Sequence, residues 1–310
     1  MKKIISCFSL ILALLLTGCS QRGLFNEDAK ITVYTRDTTS GTRDGFMNGI
    51  GFSEAAKQDD LLVSGFLIKD NTAILNAMTI DEYGIGYISL SSLTDNVKGL
   101  KLNGVIPSEA NVLNDTYDLK RPFMWMIRAE DDYPSEAVEL LVQAFVAFLN
   151  TTDAGDIINN AGAIALPSST TWDSIKNDYP ITAEDNHLIT VRFGGSDSIQ
   201  KVAQALTQAF SAKAGNFIAE HDHTGSGDGW KRTNGDSKDQ AEGKDVGFSS
   251  RNFTSAELAN VNATQTGQLA WDAIVTIVHN DNPIENITTQ ILKNIYSGAY
   301  TLWSDLPETD

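Results

Sequence analysis

The sequence has few cysteines, prolines and basic residues, and each shortage narrows what the chain can be. Of 310 residues, 2 are cysteine, 7 are proline and 23 are lysine or arginine, against 40 aspartate or glutamate residues. Cys7 lies in the N-terminal segment, which is interpreted below as a cleaved signal peptide. Cleavage would leave one thiol, so the mature chain would have no internal disulfide and its fold must be held by its hydrophobic core. A net charge of −17 with no basic run argues against nucleic acid as a partner.

The first segment predicts export. Two lysines precede an apolar stretch that is too short to span a membrane, so residues 1–18 are interpreted as a signal peptide. The sequence Leu16-Thr17-Gly18-Cys19 resembles the lipobox of bacterial lipoproteins, which implies cleavage before Cys19 and a lipid on its sulfur. We therefore expect an extracytoplasmic protein anchored to the cell membrane through Cys19, with residues 19–30 as a tether. Plain secretion is the alternative.

The rest of the chain alternates strands and helices. Short apolar runs predict strands at 31–35, 84–88, 188–193 and 273–278, and helical spacing predicts helices at 71–80 (capped by Asn71), 135–149, 198–210 and 288–296. This alternation is typical of α/β lobes with largely buried sheets. In such sheets ligands bind beyond the carboxyl ends of strands, so the turns after the strands are the places to search.

A turn rich in hydroxyl groups follows the first predicted strand. It contains Arg36, Ser40, Gly41 and Thr42 and leads into a helix. A guanidinium supplies a planar fork of donors, the hydroxyls add more, and backbone N–H groups at a helix start favour negative charge. These donors suit a tetrahedral oxyanion. An ordinary helix N-cap would explain the same residues.

Three later turns have the same character. They are Gly194–Ser198 after a strand, the glycine-rich stretch Thr224–Gly229, which is expected to be a flexible loop, and Gly247–Arg251 after a short apolar strand. Each alone is a common type of connector. Four such turns beside strand ends or helix starts favour one shared cleft.

Together, these turns resemble the phosphate-binding proteins of bacterial phosphate ABC importers, which have a two-lobed type II periplasmic-binding-protein fold. The resemblance covers nearly all of residues 31–310, including Ala270–Val278 and the Trp303-Ser304-Asp305-Leu306 turn. It implies that phosphate is bound by eight residues on the four turns: Arg36, Ser40, Gly41, Thr42, Ser198, Ile199, Ser226 and Ser250. Asp197, in a turn where the family has threonine, is a ninth candidate that the resemblance does not imply.

One position departs from the family. Ser250 stands where the family often has an aspartate, which accepts the proton of hydrogen phosphate and repels sulfate. Asp197 could supply the missing acceptor, or it could merely cap the helix that begins at Ser198. Phosphate is the implied ligand, and a sulfate-like oxyanion is the alternative.

The order of the segments also departs from the family, because the half that carries Arg36 precedes the half that carries Ser198. The fold class predicted is therefore α/β, with a circularly permuted type II periplasmic-binding-protein fold. One lobe is expected from 31–114 with 283–310 and the other from 115–282, with Trp172–Asn186 joining the family's former ends. A fusion of two half-proteins that each need a partner chain is the alternative.

The function implied by the resemblance is capture of inorganic phosphate and its delivery to the permease subunits of an ABC transporter. We expect a monomer with no cofactor, no metal ion and no catalysis. A phosphate-sensing surface protein is an alternative. A phosphate-ester hydrolase with Ser40 or Ser198 as nucleophile is a weaker one, because no base can be assigned to either serine.

The remaining candidates have ordinary explanations. His221 and His223, with Asp222 and Asp228 nearby, could bind a metal ion, but no third histidine or cysteine is close in sequence. Tryptophans in apolar segments predict core positions: Trp125, Trp271 and Trp303. Acidic residues on predicted helices indicate solvated faces: Glu136, Glu139 and Asp153.

Overall fold

The computed structural model describes residues 25–307; the predicted signal peptide, Cys19 and the first part of the predicted tether lie outside them. The α-helices are α1 (Gly41–Gly49), α2 (Asn71–Met78), α3 (Glu109–Leu113), α4 (Glu136–Leu149), α5 (Thr152–Asn160), α6 (Trp172–Ile175), α7 (Gln200–Ser211), α8 (Ser226–Lys231) and α9 (Thr289–Ser297). The strands are β1 (Thr32–Thr35), β2 (Leu67–Ile68), β3 (Gly84–Ser89), β4 (Lys98–Gly99), β5 (Lys101–Leu102), β6 (Lys120–Ile127), β7 (Ile164–Ala165), β8 (Thr190–Gly195), β9 (Ile218–His223), β10 (Val246–Ser249), β11 (Thr266–Val278) and β12 (Asn286–Ile287). Within 25–307, no helix combines the length and apolar character needed to cross a membrane.

One hydrogen-bonded sheet runs through both halves of the molecule in the order β2-β1-β3-β11-β6-β10-β8-β9. Its long strand β11 pairs antiparallel with β6 over residues 266–273 and then with β3 over residues 274–278. The outer strands are parallel on both sides, β1 with β2 and β3, and β8 with β9 and β10. Parallel strands require helical crossovers that cover the sheet faces. The result is two α/β lobes that share β11.

Each lobe has its own hydrophobic core. In the first lobe, Phe46 of α1 stacks on Tyr87 with ring centroids 3.9 Å apart and meets Tyr296 edge-on at 5.0 Å. In the second lobe, Phe148 of α4 lies against Phe210 of α7 at 5.1 Å. The two cores form because α1 and α9 in one lobe, and α4 and α7 in the other, place their buried faces on the sheet.

The chain passes from one core to the other inside two strands. Leu119 packs in the first core and Phe123 in the second, while Ala270 packs in the second core and Ile274 in the first. The division into 31–114 with 283–310 against 115–282 stays a prediction. The last residues of β11 pair with β3 and pack in the first lobe, although the predicted boundary places them in the second.

Local structure differs from the sequence predictions at a few elements. The N-cap of α2 is Asp70, whose carboxylate accepts from the Ala73 N–H at 2.7 Å, and Asn71 is the first helical residue. Thr224–Gly229 does not form a loop throughout, because α8 begins at Ser226. The strand expected at 273–278 extends back to Thr266, because those residues pair with β6.

Side-chain burial follows the sequence predictions at two tryptophans and departs from them at Glu139. Trp125 and Trp303 are buried, whereas Trp271 is half-buried with the Lys120 Nζ 4.7 Å from its ring. Glu139, expected on a solvated face, is 9% exposed and accepts from the Asp131 N–H at 3.3 Å. Its position is set by the turn that precedes α4, a contact that helical spacing does not reveal.

The first and last described segments lie side by side. Lys30 forms a β-bridge with Leu302, and the Trp303 N–H donates to the Ala29 carbonyl at 3.2 Å. The Phe25 ring packs edge-on against Trp303 at 5.7 Å. The two ends could therefore be joined by a short link, which is a requirement of circular permutation. The permutation itself stays a prediction.

This proximity predicts that the segment order can be changed without loss of the fold. A chain that starts at Thr170, joins Pro307 to Phe25 through a short glycine-serine linker and ends at Ser169 is expected to fold, because residues 167–170 are exposed. Far-UV circular dichroism and thermal unfolding would show a parent-like spectrum and one cooperative transition.

The matched control joins Pro307 to Phe25 in the same way but places the new chain ends between Phe193 and Gly194. Both residues are buried in β8, which is paired on both sides, so this chain should not fold. Failure of the chain opened at Ser169 would contradict the inferred adjacency of the two ends.

Candidate binding site

The structure brings the four hydroxyl-rich turns together where the two lobes face each other. Gly41, the first residue of α1, lies against side chains of the other lobe. A Cβ added there would overlap the Ser226 Oγ and lie 2.8 Å from the Ser250 Oγ, both in the other lobe. A side chain at position 41 would therefore displace these two serine hydroxyls. Whether the turns bind a ligand stays a prediction from the sequence.

Gly195 allows the second-lobe turns to meet one another. Its φ of +107° lies in the region that favours glycine, and a Cβ there would overlap the Phe248 carbonyl oxygen. The Gly195 carbonyl accepts from the N–H groups of Thr224 at 2.8 Å and Gly225 at 2.9 Å. The turn after β8 is thereby joined to the segment that opens α8.

Arg36 is a fully buried residue whose guanidinium reaches across the junction. Its Nη2 donates to both carboxylate oxygens of Asp197 at 2.7 Å, and its Nη1 donates to the Thr42 Oγ1 at 3.3 Å. Among the described residues, its Nε has no hydrogen-bond partner. A buried N–H left without an acceptor is costly, so this nitrogen is a donor that a bound acceptor would satisfy.

The Asp197 carboxylate is a cross-lobe acceptor. Besides the Arg36 guanidinium, it accepts from the backbone N–H of Asn71 at 3.1 Å, at the start of α2 in the first lobe. It makes no capping hydrogen bond in its own helical turn, so the alternative that Asp197 caps the helix at Ser198 is wrong. A charge-assisted bond to a buried guanidinium is stronger than an N-cap bond, which explains this orientation.

Buried hydroxyl groups make up the rest of the junction. The Thr42 Oγ1 and the Ser198 Oγ lie 2.7 Å apart across it. In the second lobe, the Ser226 Oγ lies 3.1 Å from the Ser250 Oγ and accepts from the Ser250 N–H at 3.0 Å. The hydroxyls therefore satisfy one another in this closed arrangement, and each bond could be exchanged for one to a small oxyanion.

Two of the predicted site residues use their side chains elsewhere. The Ser40 Oγ accepts from the N–H groups of Thr42 at 3.2 Å and Arg43 at 3.4 Å and so caps α1. Ile199 is fully buried in the second-lobe core. At Ile199, only the backbone can contribute to a polar site.

The sequence analysis missed a second buried guanidinium at the junction. Arg121 of β6 donates from its Nη1 to the Thr42 Oγ1 at 2.7 Å and from its Nε to Asp272 of β11 at 2.9 Å. Asp272 is fully buried and also accepts from the Ser89 Oγ at 2.8 Å. An aspartate inside the apolar run 269–278 was the available signal, because a buried carboxylate there requires a partner.

A pair of histidines lies behind the second-lobe turns. The Thr207 Oγ1 lies 2.9 Å from the His221 Nε2, the His221 Nδ1 lies 3.0 Å from the His223 Nε2, and the His223 Nδ1 lies 3.0 Å from the Ser196 carbonyl oxygen. Burial lowers the pKa of His221 to about 4 and also lowers that of His223. Within residues 25–307, no cluster of histidine, cysteine and acidic residues is arranged to hold a metal ion.

The histidine pair predicts a fold that loses stability in acid. Because the pKa of His221 is about 4 in the folded protein against 6.5 ordinarily, the unfolded chain binds the extra proton first as the pH falls. The free energy of unfolding should therefore decrease between pH 6.5 and about pH 4. Urea unfolding across this window should show a flatter pH dependence for His221→Gln, with His187→Gln as an exposed control. An unchanged slope in His221→Gln would assign the acid sensitivity to other groups.

The fold and the junction define the class of the protein. Two α/β lobes that share a strand and meet through turns at strand ends form the type II periplasmic-binding-protein fold. Residues 173–310 match the family model described as PBP superfamily domain. The chain is similar in structure to a phosphate-binding protein of a phosphate ABC transporter from Streptococcus pneumoniae TIGR4, with a TM-score of 0.63 and 24% identity over 90% of this chain and 100% of that one.

Comparison with curated sequences gives the same relatives. The chain is 28% identical to phosphate-binding protein PstS 2 of Streptococcus pneumoniae, over 89% of this chain and 87% of the relative. It is 24% identical to phosphate-binding protein PstS 2 of Streptococcus agalactiae, over 94% and 93%. The resemblance stated from the sequence is confirmed. Because each alignment runs over nearly the whole of both chains, the segments have the same order in these relatives. The circular permutation relative to other phosphate-binding proteins stays a prediction.

Proposed function

We propose that this protein captures inorganic phosphate between its two lobes and delivers it to the permease subunits of an ABC transporter. The observation that carries the proposal is the junction itself, where buried hydroxyl groups from both lobes lie with a guanidinium whose Nε has no acceptor among the described residues. The similar streptococcal proteins are described as phosphate-binding proteins, which supports phosphate as the ion. The protein acts outside the cytoplasm, as a monomer tethered through a lipid on Cys19.

Phosphate would hold the lobes together by replacing their direct contacts. An oxygen placed between the Thr42 and Ser198 hydroxyls exchanges one bond across the junction for two bonds to the ligand. The Arg36 Nε gains an acceptor, and the Ser226 and Ser250 hydroxyls turn from each other to the ion. A ligand bound to both lobes stabilises the closed state, because the open state offers it fewer contacts. The permease would recognise that closed state.

The geometry gives no support to a hydrolase. The Ser40 Oγ accepts from two backbone N–H groups, and the hydrogen bond of the Ser198 Oγ is to Thr42. Among the described residues, neither serine has a histidine or carboxylate in hydrogen-bond contact to act as a base. We therefore propose a binding protein and no catalysis.

Replacing Arg36 tests the proposed site. Arg36→Gln should weaken phosphate binding by about 2–5 kcal/mol, because it removes a desolvated charged donor and leaves Asp197 buried without its cation. Isothermal titration calorimetry with inorganic phosphate measures the loss. Arg232→Gln is the matched control, because it removes an arginine whose carboxylate partner, at 2.6 Å, is Asp222 and not Asp197. Equal affinity in Arg36→Gln and the parent protein would mean that phosphate binds elsewhere.

Replacing Asp197 tests the choice of anion. Phosphate carries a proton at neutral pH that a carboxylate can accept, whereas sulfate has none and is repelled. Asp197→Asn should therefore reduce the preference for phosphate over sulfate by about tenfold or more, as expected for a hydrogen bond to a charged group. Calorimetric titration of both anions measures the ratio.

The control for this experiment is Asp132→Asn, which removes a carboxylate that pairs with the Lys238 Nζ at 2.6 Å and belongs to none of the four turns. Its phosphate preference should match that of the parent. Tight binding of sulfate by the parent protein at neutral pH would overturn the assignment of phosphate and favour a sulfate-like oxyanion.

A further inference from the structure

Among residues 25–307, the Thr42 hydroxyl has three hydrogen-bonding neighbours, and two of them can only donate. Its Oγ1 lies 2.7 Å from the Arg121 Nη1, 3.3 Å from the Arg36 Nη1 and 2.7 Å from the Ser198 Oγ. A guanidinium nitrogen has no lone pair to offer, and a hydroxyl accepts two hydrogen bonds and donates one. With both acceptor positions filled by arginines, the Thr42 proton must point to the third neighbour.

Asp272 holds the Arg121 guanidinium in the orientation that donates to the Thr42 hydroxyl. The Arg121 Nε and Nη2 lie 2.9 and 2.8 Å from the same Asp272 oxygen, and the two residues are opposite each other in the β6–β11 pairing. The second Asp272 oxygen accepts from Ser89. Both charged side chains are buried, so the pair cannot rearrange without leaving a charge unpaired. The Nη1 is the nitrogen that donates to Thr42, while the Nη2 makes no hydrogen bond among the described residues although it lies close to Asp272.

We propose that Arg121, held by Asp272, is a positioning residue of the anion site that makes the Thr42 hydroxyl an obligatory donor. In this structure Thr42 donates to Ser198, and in the liganded protein it donates to an anion oxygen. A fully ionised oxygen of a ligand can only accept hydrogen bonds. A hydroxyl that must donate therefore binds such an oxygen in preference to a ligand group that must itself donate. Arg121 acts without touching the ligand. With phosphate as the ligand, this inference rests on the proposed function.

A double-mutant cycle separates positioning from a merely structural role. The first change is Arg121→Gln with Asp272→Asn, which replaces the ion pair by two amides and leaves no unpaired charge. The second is Thr42→Val, which removes the hydroxyl and keeps the shape. Each alone should weaken anion binding on the order of 10- to 100-fold, the range for hydrogen bonds to charged groups. Combined, they should weaken binding no more than Thr42→Val alone, because Arg121 acts through that hydroxyl.

The outcome that overturns the proposal is multiplication of the two losses, since this would show that the ion pair affects binding independently of Thr42. The control pair is Arg192→Gln with Asp245→Asn, which removes another ion pair with a buried aspartate, at 2.7 Å, in the second lobe. Its effect should be unchanged in the Thr42→Val background. Circular dichroism checks folding, and Arg121→Lys replaces the amide pair in the cycle if that variant does not fold.

A preliminary titration separates an error about the role of Arg121 from an error about phosphate as the ligand. Calorimetry is run first on the parent protein with phosphate, arsenate and sulfate, and the cycle uses the anion bound most tightly. Sulfate as the preferred anion would overturn the proposed function while leaving the role of Arg121 open to the same test. Binding of none of the three would overturn both.

Discussion

The contact between the Arg36 guanidinium and the Asp197 carboxylate is the interaction on which the candidate site depends. The two groups come from different lobes and are almost completely buried where the lobes meet. A buried ion pair adds little net stability, but separating its partners is costly unless water can reach both. The pair therefore restricts how the lobes can sit in the closed state. Closure of the lobes and assembly of the donors are consequently one event.

The charges at the junction balance before any ligand is considered. Arg36 faces Asp197, Arg121 faces Asp272, and the whole chain carries a net charge of −17. A phosphate ion therefore meets no excess of positive charge. The acidic chain repels a phosphate ion through its electrostatic field. Salt at ~0.1 M shortens the range of this field to about 10 Å, so the repulsion from distant carboxylates matters little at contact distance. Affinity must come from short hydrogen bonds in a buried site, where such bonds are strongest.

The sequence predicted the parts of this site that are local and missed the parts that depend on pairing between distant strands. Arg36, Thr42, Ser198 and Ser226 could be found because each lies in a short turn at a strand end or helix start, a position encoded by neighbouring residues. The orientation of Asp197 could not, because its partners Arg36 and Asn71 lie in the other lobe. The Arg121–Asp272 pair likewise depends on strand register, which spacing along one strand does not reveal.

The register of β6 against β11 also explains why Arg121 is buried beside a carboxylate, unlike an arginine on a surface turn. It lies with Asp272 on β6 and β11, the two strands in which the chain passes between the cores, while Thr42 belongs to α1 of the first lobe. Rotation of one lobe against the other must be taken up in these strands, since they carry the covalent connection. Such a rotation changes the distance between the Arg121 Nη1 and the Thr42 Oγ1, now 2.7 Å. If the proposed donor role is correct, it holds in the arrangement of the lobes described here and would be lost on a rotation that separates Arg121 from Thr42.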